Sequence, residues 1–265
     1  MVVFVEDTKR APLSSIERQG QIRILIDNEQ RITVSQICEI FNVSEATARR
    51  DLETLSEQGK VQRVHGGAIK VQHAPPEKPF LERSTVQAEE KKRIGVAAAE
   101  LIHDGDTVFL GSGTTVFEIA KNLHSKQNLT IITNSLLVIQ ELSVDEDITI
   151  ISIGGILRKS EHSFIGHISE QTLKELRADK VIMGIRAISL DQGLTNDYLP
   201  ETMTDRAIMS MGNKLIIVAD HTKCERVSTV FVAPLKGVDI LITNKETSEA
   251  FLQSVRERGV EVIQA

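Results

Sequence analysis

Residues 42–68, NVSEATARRDLETLSEQGKVQRVHGGA, constrain the fold more than any other stretch. Ser44 can cap a helix in which Ala48, Leu52 and Leu55 repeat at helical spacing, which leaves Glu45, Thr47, Arg49 and Arg50 on other faces. Gly59 stops that helix, and residues 61–64 read as a short strand. His65-Gly66-Gly67 turns the chain so that residues 68–71 return as the partner strand. Upstream, Thr33 and Gln36 form a capping box, and Ile37, Ile40 and Phe41 share one apolar face of a shorter helix. Asn42-Val43 is the tight turn between the two helices. Helix, turn, helix and basic hairpin in that order describe a winged helix-turn-helix, whose second helix enters a DNA major groove while the wing touches backbone. An amphipathic helix and hairpin that merely pack would share part of this pattern, but not the ordered set.

Charge distribution fits that expectation better than the net charge of −6 suggests. Over residues 1–73, ten Lys/Arg balance ten Asp/Glu, so the acidic excess belongs wholly to the remainder. Between residues 49 and 70 five basic residues face three acidic ones, a local basic surface on a neutral module. At 265 residues the chain can bury a small and a larger core. No apolar run approaches the roughly 20 residues of a membrane helix. Residues 1–12 show no pattern and are expected to be flexible, and they lack the features of a secretory signal. Cys38 and Cys224 are the only cysteines, without metal-ligand spacing, so neither a disulfide framework nor a zinc site is indicated; Cys38 reads as a core residue. No cofactor is implied, and a cytoplasmic location is expected. Only 3% aromatic residues speaks against a stacking binder of single strands.

A first helix covers residues 16–26, with Ile22, Leu25 and Ile26 as its core face. Residues 72–79, QHAPPEKP, contain three prolines and form an extended linker. The expected domains are therefore a DNA-binding winged helix-turn-helix over 1–71, the linker, and a larger unit over 80–265. After a helix at 88–102 that unit alternates Val/Ile-rich strands (107–110, 129–133, 148–153, 180–185, 215–219, 240–243, 260–263) with amphipathic helices. This implies an α/β fold with a mostly parallel sheet covered on both faces.

Ligands of such sheets bind beyond the carboxyl ends of the strands. After Leu110 comes Gly111-Ser112-Gly113-Thr114-Thr115, two glycines that let backbone approach an anion, with hydroxyls and a helix start beside them. Asn134 follows the next strand, Gly154-Gly155 and Arg158 the third, Arg186 the fourth, and Asp220, His221 and Lys223 the fifth. Amides and cations for a phosphate, with carboxylate and amide groups for hydroxyls, are what a polyol phosphate needs. Asn134 and Asp220 read equally well as helix caps. His221 is a possible ligand contact; the other histidines read as surface or packing residues, and no catalytic triad can be assembled.

The run SEATARRDLETL, Gly59 and RVHGGA resembles the N-terminal signature of the DeoR/GlpR family of bacterial transcriptional regulators. DGDTVFLGSGTT (104–115), TNS (133–135), GGILR (154–158), GLT (193–195) and ADHTK (219–223) continue the resemblance in the family's order, so that it covers about residues 14–263. It implies a ribose-5-phosphate-isomerase-like and CoA-transferase-like sensor domain, a homo-oligomer, and operator binding controlled by a phosphorylated sugar or related metabolite. It further implies that Thr47, Arg49 and Arg50 contact DNA, joined by Ser44 and Glu45 at the helix start and by Arg63 and His65 on the wing. By the same resemblance Ser112, Gly113, Thr114, Thr115 and Lys223 hold phosphate, while Asn134, Gly155, Arg158, Arg186 and Asp220 surround the sugar. Two departures matter: Gly111-Ser112 replaces a more usual Asp-Ala or Asp-Ser, and Arg186 stands where small or apolar residues are usual. Both make the pocket more positive and suggest an effector with extra negative charge, opposed by the acidic groups of a loop at 196–201. The alternative is a sugar-phosphate isomerase with an accessory DNA module. It needs a carboxylate base beside the sugar, which the glycine-pair loop, continuing as Ile156-Leu157-Arg158, does not supply.

Overall fold

The computed structural model describes residues 13–64 and 66–265, so the expectations for residues 1–12 and for His65 lie outside the described residues. The chain divides into two compact units, residues 1–72 and 73–265.

In the first unit, Ser14 and Glu17 cap each other reciprocally and start α1 (Ser15–Glu29), which ends where Gln30 takes a left-handed conformation. A three-residue strand, β1 (Arg31–Thr33), precedes α2 (Val34–Phe41) and α3 (Glu45–Glu57). The strands β2 (Val61–Val64) and β3 (Gly67–Lys70) then form the wing hairpin. The sheet runs β1-β3-β2, all antiparallel, with Ile32 and Arg63 both opposite Ala68. β1 was not foreseen: only three residues long, its last member is also the Thr33 helix cap, so capping chemistry masks it. Gly67 is required where the strands meet, since a Cβ there would lie 2.2 Å from the Ile32 carbonyl oxygen. Ile22, Ile26, Ile37, Leu52 and Leu55 make the core. Asp51 is buried on α3, where Arg18 Nε binds its Oδ2 at 2.5 Å and Gln19 Nε2 its Oδ1 at 3.0 Å.

The second unit opens with α4 (Phe80–Ser84) and α5 (Ala88–Glu100). It continues through β4 (Thr107–Leu110), α6 (Thr114–Ala120), β5 (Leu129–Thr133), α7 (Leu136–Leu142) and β6 (Ile148–Ser152). A hairpin of β7 (Ile156–Arg158) and β8 (Ser163–Ile165) follows, then α8 (His167–Glu175) and β9 (Ala178–Gly184). The remainder is β10 (Ala187–Ser189), β11 (Gly193–Asn196), α9 (Leu199–Met209), β12 (Gly212–Val218), β13 (Val230–Ala233), β14 (Ile240–Thr243), α10 (Glu249–Arg256) and β15 (Glu261–Gln264). Seven strands pair in parallel in the order β15-β14-β12-β9-β4-β5-β6, and β10-β11-β13 form a smaller antiparallel sheet.

Alternate strand residues enter two apolar layers, as a sheet covered on both faces requires. Val108, Leu110, Ile216 and Val218 pack with α5, α6 and α7 through Ile94, Ile119 and Leu142. Phe109, Leu215 and Ile217 pack with α8, α9 and α10 through Leu173, Ile208 and Leu252. The chain winds outward from β4 to β6, returns to β9 on the other side of β4, and winds outward again to β15. The carboxyl ends of β4 and β9 therefore flank the switch point, where an open parallel sheet leaves a crevice. Among the described residues no helix is long and apolar enough to cross a membrane.

Three expectations change. The segment over 73–79 is extended but not free: Ala74 N–H donates to the Val227 carbonyl at 2.8 Å and Glu77 N–H to Asp197 Oδ2 at 3.1 Å. The GGILR stretch continues into β7 instead of ending as a strand-end loop. Residues 199–201, expected in a loop, are the first turn of α9.

Candidate functional site

On the first unit, Asn42 turns the chain in a left-handed conformation, with φ 51°. Ser44 Oγ then accepts from Thr47 N–H at 3.3 Å and lies 3.0 Å from Thr47 Oγ1, which fixes the start of α3. Burying Ala48, Asp51, Leu52 and Leu55 turns Glu45, Arg49 and Arg50 outward, with Thr47 half-buried. Arg49 pairs with Glu45 at 2.8 Å across one helical turn, both side chains well exposed, a contact worth little and readily exchanged for another anion. Arg63 on β2 donates to the Arg49 backbone carbonyl at 3.4 Å, which ties the wing to α3. Ser44, Glu45, Arg49 and Arg50 are thus exposed at the start and along the outside of α3, with Thr47 and Arg63 half-buried beside them.

On the second unit, a cavity of about 350 Å³ opens at the β4/β9 switch point. Its lining includes residues 111–115 after β4 and residues 183–186 at the carboxyl end of β9. Gly111 packs against β9, where a Cβ would lie 3.1 Å from Met183 Cβ, and Gly113 has φ +109°, conformational space that suits glycine. Of the residues expected to bind a ligand, Ser112, Gly113, Thr114, Thr115, Asn134, Arg186, Asp220 and Lys223 all line this one cavity.

Gly155 and Arg158 do not. Gly155, at φ +120°, sits where a Cβ would meet Ser169 Oγ at 2.2 Å and the Ile165 carbonyl oxygen at 2.8 Å, so its task is a tight turn. Arg158 stacks on Tyr198 at 4.5 Å and pairs with Glu201 and, at 3.8 Å, with Glu77, two residues that do line the cavity. Asp220 is partly engaged as a cap, accepting from Thr222 N–H at 2.9 Å and from the Thr222 hydroxyl. His221 is outside the lining, its Nδ1 2.9 Å from Asn244 Nδ2.

The cavity also contains groups the sequence reading missed. Lys91 is buried and donates to the Arg83 and Val86 carbonyls at 2.6 and 2.5 Å. Arg83 pairs with Glu77 at 3.0 Å and with Glu161. Glu201 accepts from Ser163 Oγ at 3.2 Å, and Asp205 from Asn196 Nδ2 at 2.6 Å. Three of these carried a signal: Lys91 lies three and seven residues before Ile94 and Ala98 on the buried stripe of α5, and Glu201 and Asp205 are four apart on the buried stripe of α9. Charges on an apolar stripe are rarely idle.

Five lining carboxyl groups (Glu77, Glu161, Glu201, Asp205, Asp220) stand against five lining cations (Lys78, Arg83, Lys91, Arg186, Lys223). The expected positive pocket is therefore formally balanced: Glu77 and Glu201 come from segments read as linker and loop, and Asp205 from the helix that follows. Arg186 is itself engaged, donating to the Pro75 carbonyl and lying 3.7 Å from Asp197. Burial pushes the Lys91 ammonium down to about 8, aided by Lys223 and Arg83 and opposed by Asp220. Lys223 is lowered for the same reason, with Asp220 opposing and Arg186 adding. Burial raises Glu161 to about 7 against the pull of Arg83, and raises Glu201 against that of Arg158. Asp205 is raised well above the carboxylate range by burial and then by Glu201. Among the described residues no group of His, Cys, Asp and Glu is placed to hold a metal ion.

Residues 86–245 match the DeoR C terminal sensor domain and residues 18–73 the DeoR-like helix-turn-helix domain. The transcriptional repressor AccR of Agrobacterium fabrum is 35% identical, over 92% of this chain and 95% of its own. The HTH-type transcriptional repressor GlcR of Bacillus subtilis is 36% identical, over 93% and 95%. The glycerol-3-phosphate regulon repressor of Escherichia coli is 32% identical, over 94% and 99%. Among solved structures, a ribose 5-phosphate isomerase from Methanocaldococcus jannaschii is similar over 52% of this chain and 55% of that one. Its identity is 16% and its TM-score 0.38, a likeness too slight to bear on function.

Proposed function

The chain belongs to the DeoR family of transcriptional regulators, and from that premise we propose that it is a repressor whose hold on operator DNA is set by a phosphorylated sugar or similar anionic metabolite in the cavity of its second unit. The observation that carries the ligand reading is the pairing of buried Lys91 and half-buried Lys223 with the amide-rich loop 111–115 at the switch point of the sheet. Each lysine is held below its ordinary pKa by burial, so a phosphate beside them stabilises the charged forms and gains charge-assisted hydrogen bonds. Asn134, Asp220 and the carboxyl groups at the other side then face the hydroxyls.

DNA contact falls to α3 and the wing, with Thr47, Arg49 and Arg50 in the major groove and Ser44, Glu45 and Arg63 at its margin. Coupling runs through the segment that opens the second unit. Pro75, Pro76, Glu77 and Lys78 form part of the cavity wall, held there by Arg186, Arg83 and Arg158. A ligand that draws those arginines toward itself shifts this segment, and with it the spacing of two DNA-binding units in a homo-oligomer relative to their half-sites.

The enzyme alternative gains carboxylates from the structure, but Glu77 and Glu161 are bound by Arg83 and Glu201 by Arg158, and the curated relatives carry the names of regulators and repressors. The chain is a regulator and not an enzyme. The test is a thermal-shift screen of sugar phosphates on wild type and Lys223→Ala. A ligand at 100 times its dissociation constant stabilises by about 2.7 kcal/mol. A hit lost in the variant supports the phosphate assignment; an equal hit in both removes it. Turnover of any compound in the panel counts against a pure sensor.

A further inference from the structure

Helix α9 has two unlike faces. Its inward stripe, with Glu201, Asp205 and Ile208, lines the cavity. Its outward stripe carries Leu199 and Met203 one turn apart, both exposed, with Arg206 beside them. A surface helix ordinarily turns charge to solvent and apolar residues to the core. Here two carboxyl groups point inward and two large apolar side chains outward.

Neighbouring elements extend the outward stripe into a wider apolar surface. Arg206 Nη1 lies 3.7 Å from Met203 Sδ, and the same guanidinium donates to the Phe231 carbonyl, which brings β13 alongside α9. On the other flank the Gly166 N–H donates to Thr204 Oγ1 at 3.0 Å, so the start of α8, with Ile168, adjoins α9. A Cβ on Gly166 would lie 3.6 Å from Ile156 Cδ1, which adds β7. Arg158, on the same side of β7 as Ile156, stacks on Tyr198 at 4.5 Å and closes the ring at the start of α9. Ile156, Ile168, Tyr198, Leu199, Met203 and Phe231 thus border one stretch of surface, their exposure running from 41% (Tyr198) to 68% (Ile156). At roughly 200 Å² for a large apolar residue, they leave on the order of 600 Å² uncovered. That is the top of the range a monomer keeps open, and most of the roughly 800 Å² that each partner buries in a stable complex. Tyr, Phe, Met and Arg are also the residue types that interfaces favour.

Two observations indicate what covers this surface. A DNA-binding unit that is neutral over residues 1–73 brings little electrostatic affinity alone, and joining two of them multiplies it. The surface is also one helix away from the cavity, with α9 as the wall between them, so a second copy seated there touches the helix that a ligand touches. Resting on the regulator reading above, we propose that a second copy of this chain docks on this surface about a two-fold axis, α9 of one copy against α9 of the other, so that dimer interface and ligand cavity share one helix.

The test is the mass of the full chain by sedimentation equilibrium at micromolar concentration, for wild type, Met203→Glu, Ile168→Glu and Val144→Glu. Val144 is 77% exposed but follows α7, on the opposite face of the sheet. Wild type is expected to show an even multiple of the chain mass. A glutamate on the surface is repeated across the two-fold and stranded in an apolar contact. It should raise the dissociation constant at least about a hundredfold and halve the assembly. Val144→Glu should keep the wild-type mass. Ile168→Glu lies on a different helix and keeps the test decisive should Met203→Glu misfold, which circular dichroism reads. An unchanged mass in the folded surface variants, or a halved mass in Val144→Glu, overturns the interface and leaves the sugar-phosphate reading intact. A wild type with the mass of one chain overturns the interface together with the coupling of paired DNA-binding units.

Discussion

Glu161→Gln isolates one buried charge whose effect on stability can be worked from its surroundings. Glu161 is 4% exposed, accepts from Arg83, and is held protonated up to about pH 7 by burial, with Glu77 and Glu201 adding to the effect. In the unfolded chain it titrates at its ordinary 4.5. Between these values the folded chain keeps a proton that the unfolded chain has released, so stability falls as pH rises through that window. The full displacement corresponds to about 3 kcal/mol. Glutamine cannot ionise, and Arg83 keeps Glu77 at 3.0 Å. The stability of the variant relative to wild type should therefore climb by about 3 kcal/mol between roughly pH 4 and pH 8. Glu201 and Asp205, also raised, slope the same way in both proteins and largely cancel in the difference. The assay is urea unfolding followed by tyrosine emission: Tyr198 is the sole tyrosine, there is no tryptophan, and so the signal reports the second unit alone. Parallel stability curves for the two proteins, or a gap that narrows with rising pH, would refute the reasoning.

Asp51→Ala removes the buried carboxylate that holds the half-buried guanidinium of Arg18, leaving it only the Leu13 carbonyl, and should cost about 3 kcal/mol, seen as accelerated amide exchange across α1 and α3 in the full chain. Gly155→Ala places a Cβ against Ser169 Oγ at φ +120° and should lower stability by more than about 1 kcal/mol; an unchanged urea midpoint at Tyr198 would show that the turn relaxes freely. Arg63→Ala should weaken DNA binding evenly across sequences and reduce the salt slope by about 1, whereas Arg50→Ala on the exposed face of α3 should also relax sequence preference, as read by selection from a random duplex pool.

Local chemistry made the first unit legible. The capping hydroxyls of Thr33 and Ser44, the Leu52–Leu55 stripe and the glycine turn all act within a few residues, and the structure places α2, α3 and the hairpin where they point. Continuous Val/Ile runs likewise gave the strands of the parallel sheet, because strands buried on both faces have no polar alternation to blur them. What the sequence hid depends on partners far along the chain. Arg18 and Asp51 are 33 residues apart, and each looks like an ordinary surface charge. Glu77 sits among prolines and polar residues, which read as extended whether or not they pack, and only the fold brings Arg83 and Arg158 to it. The β7 strand was missed because Ile156 and Leu157 belong to a three-residue, largely exposed strand with no buried face to pattern. Gly155 drew attention as a glycine near a strand end, where a ligand turn and a packing turn look alike until Ser169 is seen against it.

The central claim is that a ligand in the second unit's cavity governs DNA binding by the first. Its most direct test is fluorescence anisotropy with a duplex that the full chain has itself selected from a random pool, at one fixed salt concentration. Dissociation constants are measured with and without a saturating sugar phosphate taken from the thermal-shift screen, for wild type and Lys223→Ala. Wild type should change its affinity for the duplex at least about tenfold, a coupling of about 1.4 kcal/mol, and the variant should bind the duplex equally well with or without the compound. A ligand that saturates the cavity yet leaves the wild-type dissociation constant unchanged would contradict the account.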